Sequence, residues 1–282
     1  MKSACLKFLF LFFETREAKL TEKKQVSPDS YIFRFTLSNQ KDAMTYPAGS
    51  HFAILRIPNS SDAFTKKYTP INTIESMKQG YIETVIKIYR PNTDLNFPQG
   101  GKLTPFLENL KIGDLIKISA PIISIKYDKQ GYIDIIRKKQ QEDKKGKQRI
   151  KPKNLFLIAG GTGIAPVFSI GQQICLDQQK DINITLLYAN RTEKDILLKD
   201  QIDDLQKQYD NFKTIYVIDS GNQTQSWNGE IGRIDQNMMQ KYGPSSTDKD
   251  NYVMFCGPKG MVKMCFEACK NLGFDPHHCF RF

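Results

Sequence analysis

Residues Leu155 to Pro166 (LFLIAGGTGIAP) contain the pattern that decides the fold of this chain. The apolar run that opens this stretch predicts a short buried strand, and the glycines after it predict a tight turn. Pro166 favours the first turn of a helix, where its missing N–H has no partner to lose. A glycine turn between a strand and a helix N-terminus can bind a phosphate or can be structural only. The stretch is not the G-x-G-x-x-G fingerprint, because Pro166 occupies its sixth position.

Downstream of this stretch, strand-like and helix-like segments alternate. Predicted strands cover 155–159, 184–188, 214–218 and 252–255, and predicted helices cover about 166–178, 196–209, 233–242 and 259–272. The alternation predicts a parallel α/β sheet over residues 154–282, with ligands at the carboxyl ends of its strands. Glycine or polar clusters follow each strand, which favours a cleft there: Gly161-Thr162-Gly163, Asn190-Arg191-Thr192, Asp219 and Cys256-Gly257-Pro258.

Residues 15–136 show a different pattern, of short β-rich segments separated by turns. Predicted strands cover 31–35, 51–57, 81–89, 115–118 and 122–125, which predicts an antiparallel β-barrel or sandwich. One helix interrupts them, and Thr104 is predicted to be its capping residue. The turn Gly100-Gly101-Lys102 precedes this helix, an arrangement that suits a pyrophosphate or a plain capped helix.

The chain of 282 residues is long enough for two domains and carries a formal net charge of +11. Residues 137–153 hold nine Lys/Arg and two acidic residues, and predict a solvated linker or a docking segment for a partner. An acidic protein is the favoured partner, and no nucleic acid is expected, because no helix-turn-helix, zinc-finger or RNA-binding signature accompanies the charge. The six cysteines have no metal-ligand spacing, so no metal is expected, and reduced thiols in the cytoplasm fit best.

The N-terminal residues 1–14 contain the apolar run LKFLFLFF over residues 6–13. This run is shorter than the roughly 20 residues that a membrane-spanning helix needs, and no signal-peptide cleavage site follows it. A truncated anchor, a segment lying on a surface and a docked strand all remain open.

Together these motifs resemble the NADH–cytochrome b5 reductase family, within the ferredoxin-reductase-like flavoproteins. The resemblance extends from about Lys23 to the last residue, in family order across both predicted domains. Its matching segments are Lys66-Lys67-Tyr68-Thr69-Pro70, Val85 to Tyr89, Phe97 to Lys102, Gly160 to Pro166, Thr192 to Leu198, Cys256-Gly257-Pro258 with Met261, and Cys279 to Phe282.

The resemblance implies an FAD-binding barrel, followed by an NADH-binding domain. Tyr68 would cover the isoalloxazine, and the Thr69 hydroxyl would hydrogen-bond flavin N5. His51 could pass a proton onward from Thr69, or could be structural. The remaining residues implied in FAD binding are Lys66 at the phosphate, Val85, Lys87 and Tyr89 along their strand, and Gly100, Gly101, Lys102, Leu103 and Thr104 around the pyrophosphate.

In the second domain the resemblance implies a site for NADH. Cys256 would lie beside nicotinamide C4, and Thr162 would lie between flavin and nicotinamide. Asp219 would accept a hydrogen bond from the ribose 2′-OH and repel a 2′-phosphate, which favours NADH over NADPH. The other residues implied in this site are Gly161, Gly163, Pro166, Gly257, Pro258, Met261 and Phe282.

The implied reaction passes a hydride from NADH to FAD, and then single electrons to an acidic haem protein such as cytochrome b5. Lys102 and residues 137–153 would steer that partner to a monomeric, cytoplasmic reductase. Whether the reductase is free or held on the cytosolic face of the endoplasmic reticulum or the mitochondrial outer membrane is left open. Lys66 stands where the family pattern has Arg, which keeps the charge but loses the planar fork, so the grip on the phosphate should be weaker unless Lys67 compensates. Ala165 stands where close relatives often have Thr, a change that would remove a contact to the flavin. The alternatives are a reductase for a ferredoxin, an oxygenase or a quinone, and a non-catalytic, membrane-tethered flavin-binding module.

Overall fold

A computed structural model of the protein describes residues 14–38, 44–56, 64–93, 98–136, 146–220 and 224–282. The apolar run over residues 6–13, for which an anchor was one of three open interpretations, lies outside the described residues, as does most of the basic run, residues 137–145. The chain forms two compact units, Met1–Ile123 and Ser124–Phe282. Within the described ranges, no helix combines the length and the apolar character needed to cross a membrane.

The first unit is built on a six-stranded antiparallel sheet, in the order β4-β3-β6-β1-β2-β5. Its strands are β1 (Thr15–Ser27), β2 (Ser30–Leu37), β3 (Phe52–Arg56), β4 (Phe64–Tyr68), β5 (Tyr81–Lys87) and β6 (Leu115–Ser119). Two short helices accompany them, α1 (Ile74–Lys78) and α2 (Thr104–Asn109).

Alternation along β5 explains how this sheet forms its core. Ile82 and Ile86 are buried in a cluster with Phe33 and Phe35 of β2, because every second side chain of a strand points to the same face. The segment after β4 also lies along β5, where the Thr84 hydroxyl donates to the Thr69 carbonyl oxygen at 2.8 Å. The two outer strands of the sheet are thereby brought together, as the predicted barrel requires.

The second unit contains a six-stranded parallel sheet, in the order β13-β12-β11-β10-β14-β15. Its strands are β10 (Asn154–Gly160), β11 (Asn183–Asn190), β12 (Phe212–Ile218), β13 (Glu230–Ile231), β14 (Asn251–Cys256) and β15 (Cys279–Arg281). Its helices are α3 (Ile164–Leu176), α4 (Lys199–Gln208), α5 (Gln236–Tyr242) and α6 (Lys259–Asn271).

A three-stranded antiparallel sheet precedes this parallel sheet and differs from the predicted linker. It consists of β7 (Ile125–Tyr127), β8 (Ile133–Ile136) and β9 (Lys147–Ile150). The compact units therefore divide after Ile123 and not at residue 136, and part of the predicted linker 137–153 is a strand. The basic side chains of β9 are accommodated because Lys147 and Arg149 form ion pairs with Asp134, which is buried on β8.

Three asparagines are hydrogen-bonded across the amino edge of the parallel sheet. Asn154 opens β10 and is in register with Asn183 of β11 on one side and Asn251 of β14 on the other. The Asn154 amide donates to the Asn251 side-chain oxygen at 2.8 Å, and the Asn183 amide donates to the Asn154 side-chain oxygen at 3.2 Å. Side chains thus connect the starts of three central strands.

Candidate active site

The glycine turn after β10 is in close contact with the turn after β14. Residues 161–163 form one turn of 3₁₀-helix, and α3 begins at Ile164. A Cβ added to Gly163 would lie 2.2 Å from the carbonyl oxygen of Cys256, so no larger residue fits at this position. A Cβ added to Gly160 would lie 2.8 Å from the Met261 Sδ, and a Cβ added to Gly257 would lie 2.4 Å from the Met261 Cε. The absence of side chains lets the two turns pack backbone against backbone.

These two turns lie where the strand order of the parallel sheet reverses. From β10 the chain proceeds to β11 and β12 on one side, and then returns to β14 on the other side. Ala159 and Cys256 are in register at the carboxyl ends of β10 and β14. In parallel α/β sheets this reversal opens a crevice for a nucleotide at the carboxyl edge. Gly161, Thr162, Gly163, Cys256, Gly257 and Pro258 all lie at this edge, as the sequence predicts.

Tyr188 of β11 is hydrogen-bonded to the glycine turn through its side chain. Its side chain is fully buried, and its hydroxyl donates to the Gly161 carbonyl oxygen at 3.1 Å while accepting from the Leu197 N–H at 3.2 Å. Burial raises the pKa of this hydroxyl, so it remains a donor. The sequence analysis missed this residue, because a tyrosine within an apolar strand carries no signal beyond ordinary strand propensity.

Cys256 ends β14 with a half-buried side chain. Burial raises the pKa of its thiol to about 11, so the group is a neutral thiol at neutral pH and not a thiolate nucleophile. This protonation state agrees with the predicted role of a small side chain that shapes a hydride path.

Asp219 follows β12, at the same edge of the sheet. Its N–H donates to the carbonyl oxygens of Asn190, at 3.3 Å, and Arg191, at 3.2 Å, which ties the ends of β11 and β12 together. Its carboxylate is 37% exposed, and Arg233 Nε lies 3.9 Å from its Oδ1. The other predicted residues of this unit are Pro166, buried in the first turn of α3, and Phe282, whose N–H donates to the Phe255 carbonyl oxygen at 3.3 Å.

In the first unit, Tyr68, Thr69 and His51 lie together at the end of β4. The His51 Nδ1 is 2.8 Å from the Thr69 hydroxyl oxygen, and Tyr68 packs 6.3 Å from Phe52 between ring centres. Burial, together with the nearby charge of Lys67, lowers the pKa of His51 to about 4. At neutral pH the imidazole is therefore uncharged and able to exchange a hydrogen bond with Thr69.

The glycine turn before α2 is hydrogen-bonded to the residue after β5. The Gly101 N–H donates to the Tyr89 carbonyl oxygen at 2.7 Å, and the Tyr89 N–H donates to the Thr104 hydroxyl at 3.1 Å. Gly100 has a φ of 72°, and a Cβ on Gly101 would lie 2.6 Å from the Thr104 hydroxyl oxygen. The prediction that Thr104 caps α2 is wrong: Thr104 is the first residue of the helix and its hydroxyl accepts from Tyr89, while Leu103 is at the N-cap position and makes no side-chain capping hydrogen bond.

Three further predicted FAD residues lie on β4 and β5, and Lys102 lies in the turn before α2. Lys66 is exposed and in register with Ile54. Val85 is buried, and Lys87 forms an ion pair with Asp29 at 2.7 Å. Although burial alone would raise it, the pKa of Asp29 is lowered by the hydrogen bond and charge of Lys87.

Two contacts near α2 carried no sequence signal, because each joins residues far apart in the chain. Arg90 forms a two-pronged ion pair with Glu108 through its Nε, at 3.0 and 3.2 Å, and its Nη2. The Lys23 ammonium donates to the carbonyl oxygens of Glu108 and Leu110, both at 2.7 Å, at the carboxyl end of the helix.

Both units fit the groups that the sequence implies. In the second unit nothing lies within 4 Å of a Cβ added to Gly161, so this turn leaves open space for a dinucleotide phosphate, and in the first unit the turn around Gly100 and Gly101 leaves no side chain between Tyr89 and Thr104. The half-buried Tyr68 and the Thr69 hydroxyl offer an apolar face and a hydrogen-bonding group for a flavin.

Comparisons with known proteins agree with this assignment. Residues 17–127 match the family model described as an oxidoreductase FAD-binding domain, and residues 157–267 match that of an oxidoreductase NAD-binding domain. The chain is 32% identical to NADH-cytochrome b5 reductase 2 of Danio rerio over 266 residues, covering 93% of this chain and 82% of the relative. It is 30% identical to NADH-cytochrome b5 reductase 3 of Mus musculus, over 94% of this chain and 85% of the relative.

A solved structure shows the same fold over nearly the whole chain. The cytochrome b5 reductase domain of Ulva prolifera nitrate reductase superimposes with a TM-score of 0.82 and 30% identity, covering 95% of this chain and 97% of that one. The predicted two-domain fold and the predicted cofactors, FAD and NADH, are therefore confirmed. On these grounds the chain is an oxidoreductase that belongs to the NADH–cytochrome b5 reductase family.

Proposed function

We propose that this protein oxidises NADH and delivers the electrons one at a time to a separate haem protein with an acidic surface, such as cytochrome b5. The observation that carries the proposal is the backbone contact between Gly163 and Cys256 at the reversal point of the parallel sheet. FAD, when bound, supplies the conversion between a two-electron donor and a one-electron acceptor. The side chains and backbone of the chain itself would bind and orient the two cofactors and exclude water from them.

At the carboxyl edge of the parallel sheet, the chain would bind and orient the dinucleotide. The turn Gly161-Thr162-Gly163 admits the pyrophosphate to the start of α3, where backbone N–H groups favour negative charge. Asp219 accepts a hydrogen bond from the ribose 2′-OH. The neutral thiol of Cys256 limits where nicotinamide can lie, with Gly257, Pro258, Met261, Pro166 and Phe282 completing the site.

In the first unit, the chain would bind the flavin and place a hydrogen-bonding hydroxyl beside its N5 atom. Tyr68 excludes water from one face of the ring, and the Thr69 hydroxyl hydrogen-bonds flavin N5 while His51 orients that hydroxyl. Val85, Lys87 and Tyr89 lie along the ring, and Lys66, Gly100, Gly101, Lys102, Leu103 and Thr104 bind the pyrophosphate. A lysine at position 66 binds a phosphate through one charge and without the planar fork of an arginine.

The positive charge of the chain favours an acidic acceptor, which Lys102 and the basic run 137–153 would attract. In the described part of that run, Lys147 and Arg149 already form ion pairs with Asp134, and Arg149 also does so with Asp128. The other basic residues of the run, at 137–139, 144–145, 151 and 153, would therefore contribute most of the attraction. A different acceptor is the second candidate, because the similar domain from Ulva prolifera belongs to a nitrate reductase.

The first experiment is a titration of the FAD-loaded protein with NADH in the absence of oxygen. We expect the flavin absorbance to bleach with about one equivalent of NADH, and ferricyanide to restore it. Cytochrome b5 should then be reduced at a rate that falls steeply with ionic strength, because exposed charges are screened. Bleaching by NADH without reduction of cytochrome b5 would favour another acceptor. A flavin absorbance that NADH leaves unchanged would favour a non-catalytic binding module.

A further inference from the structure

An arginine lies opposite the carboxylate that we place at the ribose. Arg233 Nε is 3.9 Å from Asp219 Oδ1, and the Arg233 side chain is 90% exposed. A long, exposed ion pair of this kind contributes little to stability, typically about 0 to 1 kcal/mol. The guanidinium is therefore available to a ligand that binds at Asp219.

The backbone fixes Arg233 at this edge of the sheet. Gly232 follows β13, and its N–H donates to the carbonyl oxygen of Ile218, the last residue of β12, at 2.7 Å. The φ of Gly232 is 114°, in the left-handed region that favours glycine. Arg233 follows Gly232 in the chain and Asp219 follows Ile218, so the two residues directly succeed the pair that this hydrogen bond joins.

We propose that Arg233 lets this site accept the 2′-phosphate of NADPH in addition to the 2′-hydroxyl of NADH. This inference rests on the proposed position of the ribose beside Asp219. A lone carboxylate repels a 2′-phosphate, whereas a guanidinium within reach of the same ribose offers paired N–H donors to the phosphate oxygens. Asp219 still favours NADH, so the chain binds NADH more tightly than NADPH. The difference between the two affinities is smaller than it would be if Asp219 acted without Arg233.

The test is a binding measurement with two nucleotide fragments that lack nicotinamide. Calorimetric titration of the FAD-loaded full chain with 5′-ADP and with 2′,5′-ADP isolates the contribution of the 2′-phosphate. In Arg233→Gln we expect 2′,5′-ADP to bind about tenfold more weakly, as loss of a charge-assisted contact predicts, and 5′-ADP to change less than twofold. Lys207→Gln, an equal loss of charge at an exposed position on α4, is the matched control and should change neither affinity.

Each result decides between the two proposals. Unchanged affinity of Arg233→Gln for 2′,5′-ADP overturns the role of Arg233 and leaves the proposed function intact. If the unaltered protein binds 5′-ADP but not 2′,5′-ADP, the role of Arg233 is overturned as well. If neither fragment binds the unaltered protein, the placement of the nucleotide at this edge fails, and the proposed function fails with it.

Discussion

The backbone of Gly163 lies against the carbonyl of Cys256 so closely that a Cβ on the glycine would stand 2.2 Å from that oxygen. The obstructing atoms are backbone atoms of a central strand end, which cannot rotate away as a flexible side chain could. The geometry of the candidate nucleotide site therefore depends on one hydrogen atom in place of a methyl group.

Gly163→Ala should consequently lower the free energy of unfolding by about 2 to 3 kcal/mol, as overpacking of a rigid interior does. It should also weaken NAD⁺ binding, because the two turns must separate. Urea denaturation and calorimetric titration with NAD⁺ measure both effects. Gly260→Ala is the control: nothing lies within 4 Å of its added Cβ, and in α6 alanine should raise stability by about 0.5 to 1 kcal/mol. Equal stability of both variants would contradict the packing argument.

Tyr188→Phe removes the hydroxyl that joins the Gly161 carbonyl to the Leu197 N–H. We expect a loss of about 1 to 3 kcal/mol in unfolding free energy, because a buried N–H loses its partner. Amide exchange at Leu197 should accelerate, as measured by NMR. Tyr216→Phe, which removes a hydroxyl bonded to Asp203, should leave exchange at Leu197 unchanged. Slow exchange at Leu197 in Tyr188→Phe would show that another group accepts this N–H.

The thiol of Cys256 should resist alkylation in the folded protein. With its pKa raised to about 11 by burial, its thiolate fraction at pH 8 is about two orders of magnitude below that of a free cysteine. Iodoacetamide labelling followed by peptide mass mapping should show slow modification at Cys256, and fast modification after unfolding in urea. Rapid labelling in the folded state would mean that the thiol is activated.

His51 should make stability depend on pH between about 4 and 6.5. Its folded pKa, about 4, lies below the unfolded value of 6.5, so the unfolded chain binds a proton in this range and the folded chain does not. Stability is then fully present above pH 6.5 and falls as the pH decreases towards 4, by at most about 3 kcal/mol. Urea denaturation of His51→Gln from pH 4.5 to 8 should show a shallower slope than the unaltered protein. An identical slope would contradict the assignment.

Lys23→Met should destabilise the first unit by about 1 to 2 kcal/mol, because Lys23 donates to two carbonyl groups at the carboxyl end of α2. Faster release of FAD should accompany this loss, since α2 follows the Gly100-Gly101 turn. Lys24→Met, at the exposed neighbouring position of β1, serves as the control. FAD absorbance after gel filtration and thermal unfolding compare the two variants. Equal FAD retention would separate α2 from the cofactor site.

Local sequence patterns were sufficient to predict elements whose structure depends mainly on neighbouring residues in the chain. The stretch from Leu155 to Pro166 predicted β10, its turn and α3, with the helix starting two residues earlier than expected. Local patterns were insufficient for β1, a 13-residue strand that the sequence analysis missed. Only Ala18 and Leu20 among its apolar side chains are buried in the core, so polar residues obscure the alternation.

Long-range contacts explain the other differences. Residues 147–150 looked like part of a solvated linker, because a charge run gives no sign of its partners. In the folded chain a single carboxylate, Asp134, binds Lys147 and Arg149 and allows β9 to pair with β8. The predicted site residues of the second unit lie together at the strand ends because parallel strands bring those ends to one edge. Tyr188 and Arg233 were missed because their contacts, to Gly161 and Asp219, join residues that only the fold brings together.

The asparagines at the amino edge of the parallel sheet give the two ends of the same strands different tolerances to change. At that edge Asn154, Asn183 and Asn251 are joined by side-chain hydrogen bonds, whereas at the carboxyl edge Gly163 and Cys256 meet through the backbone. Selection for heat resistance could therefore act at the amino edge with little catalytic penalty. An engineer who needs a more durable reductase should begin there.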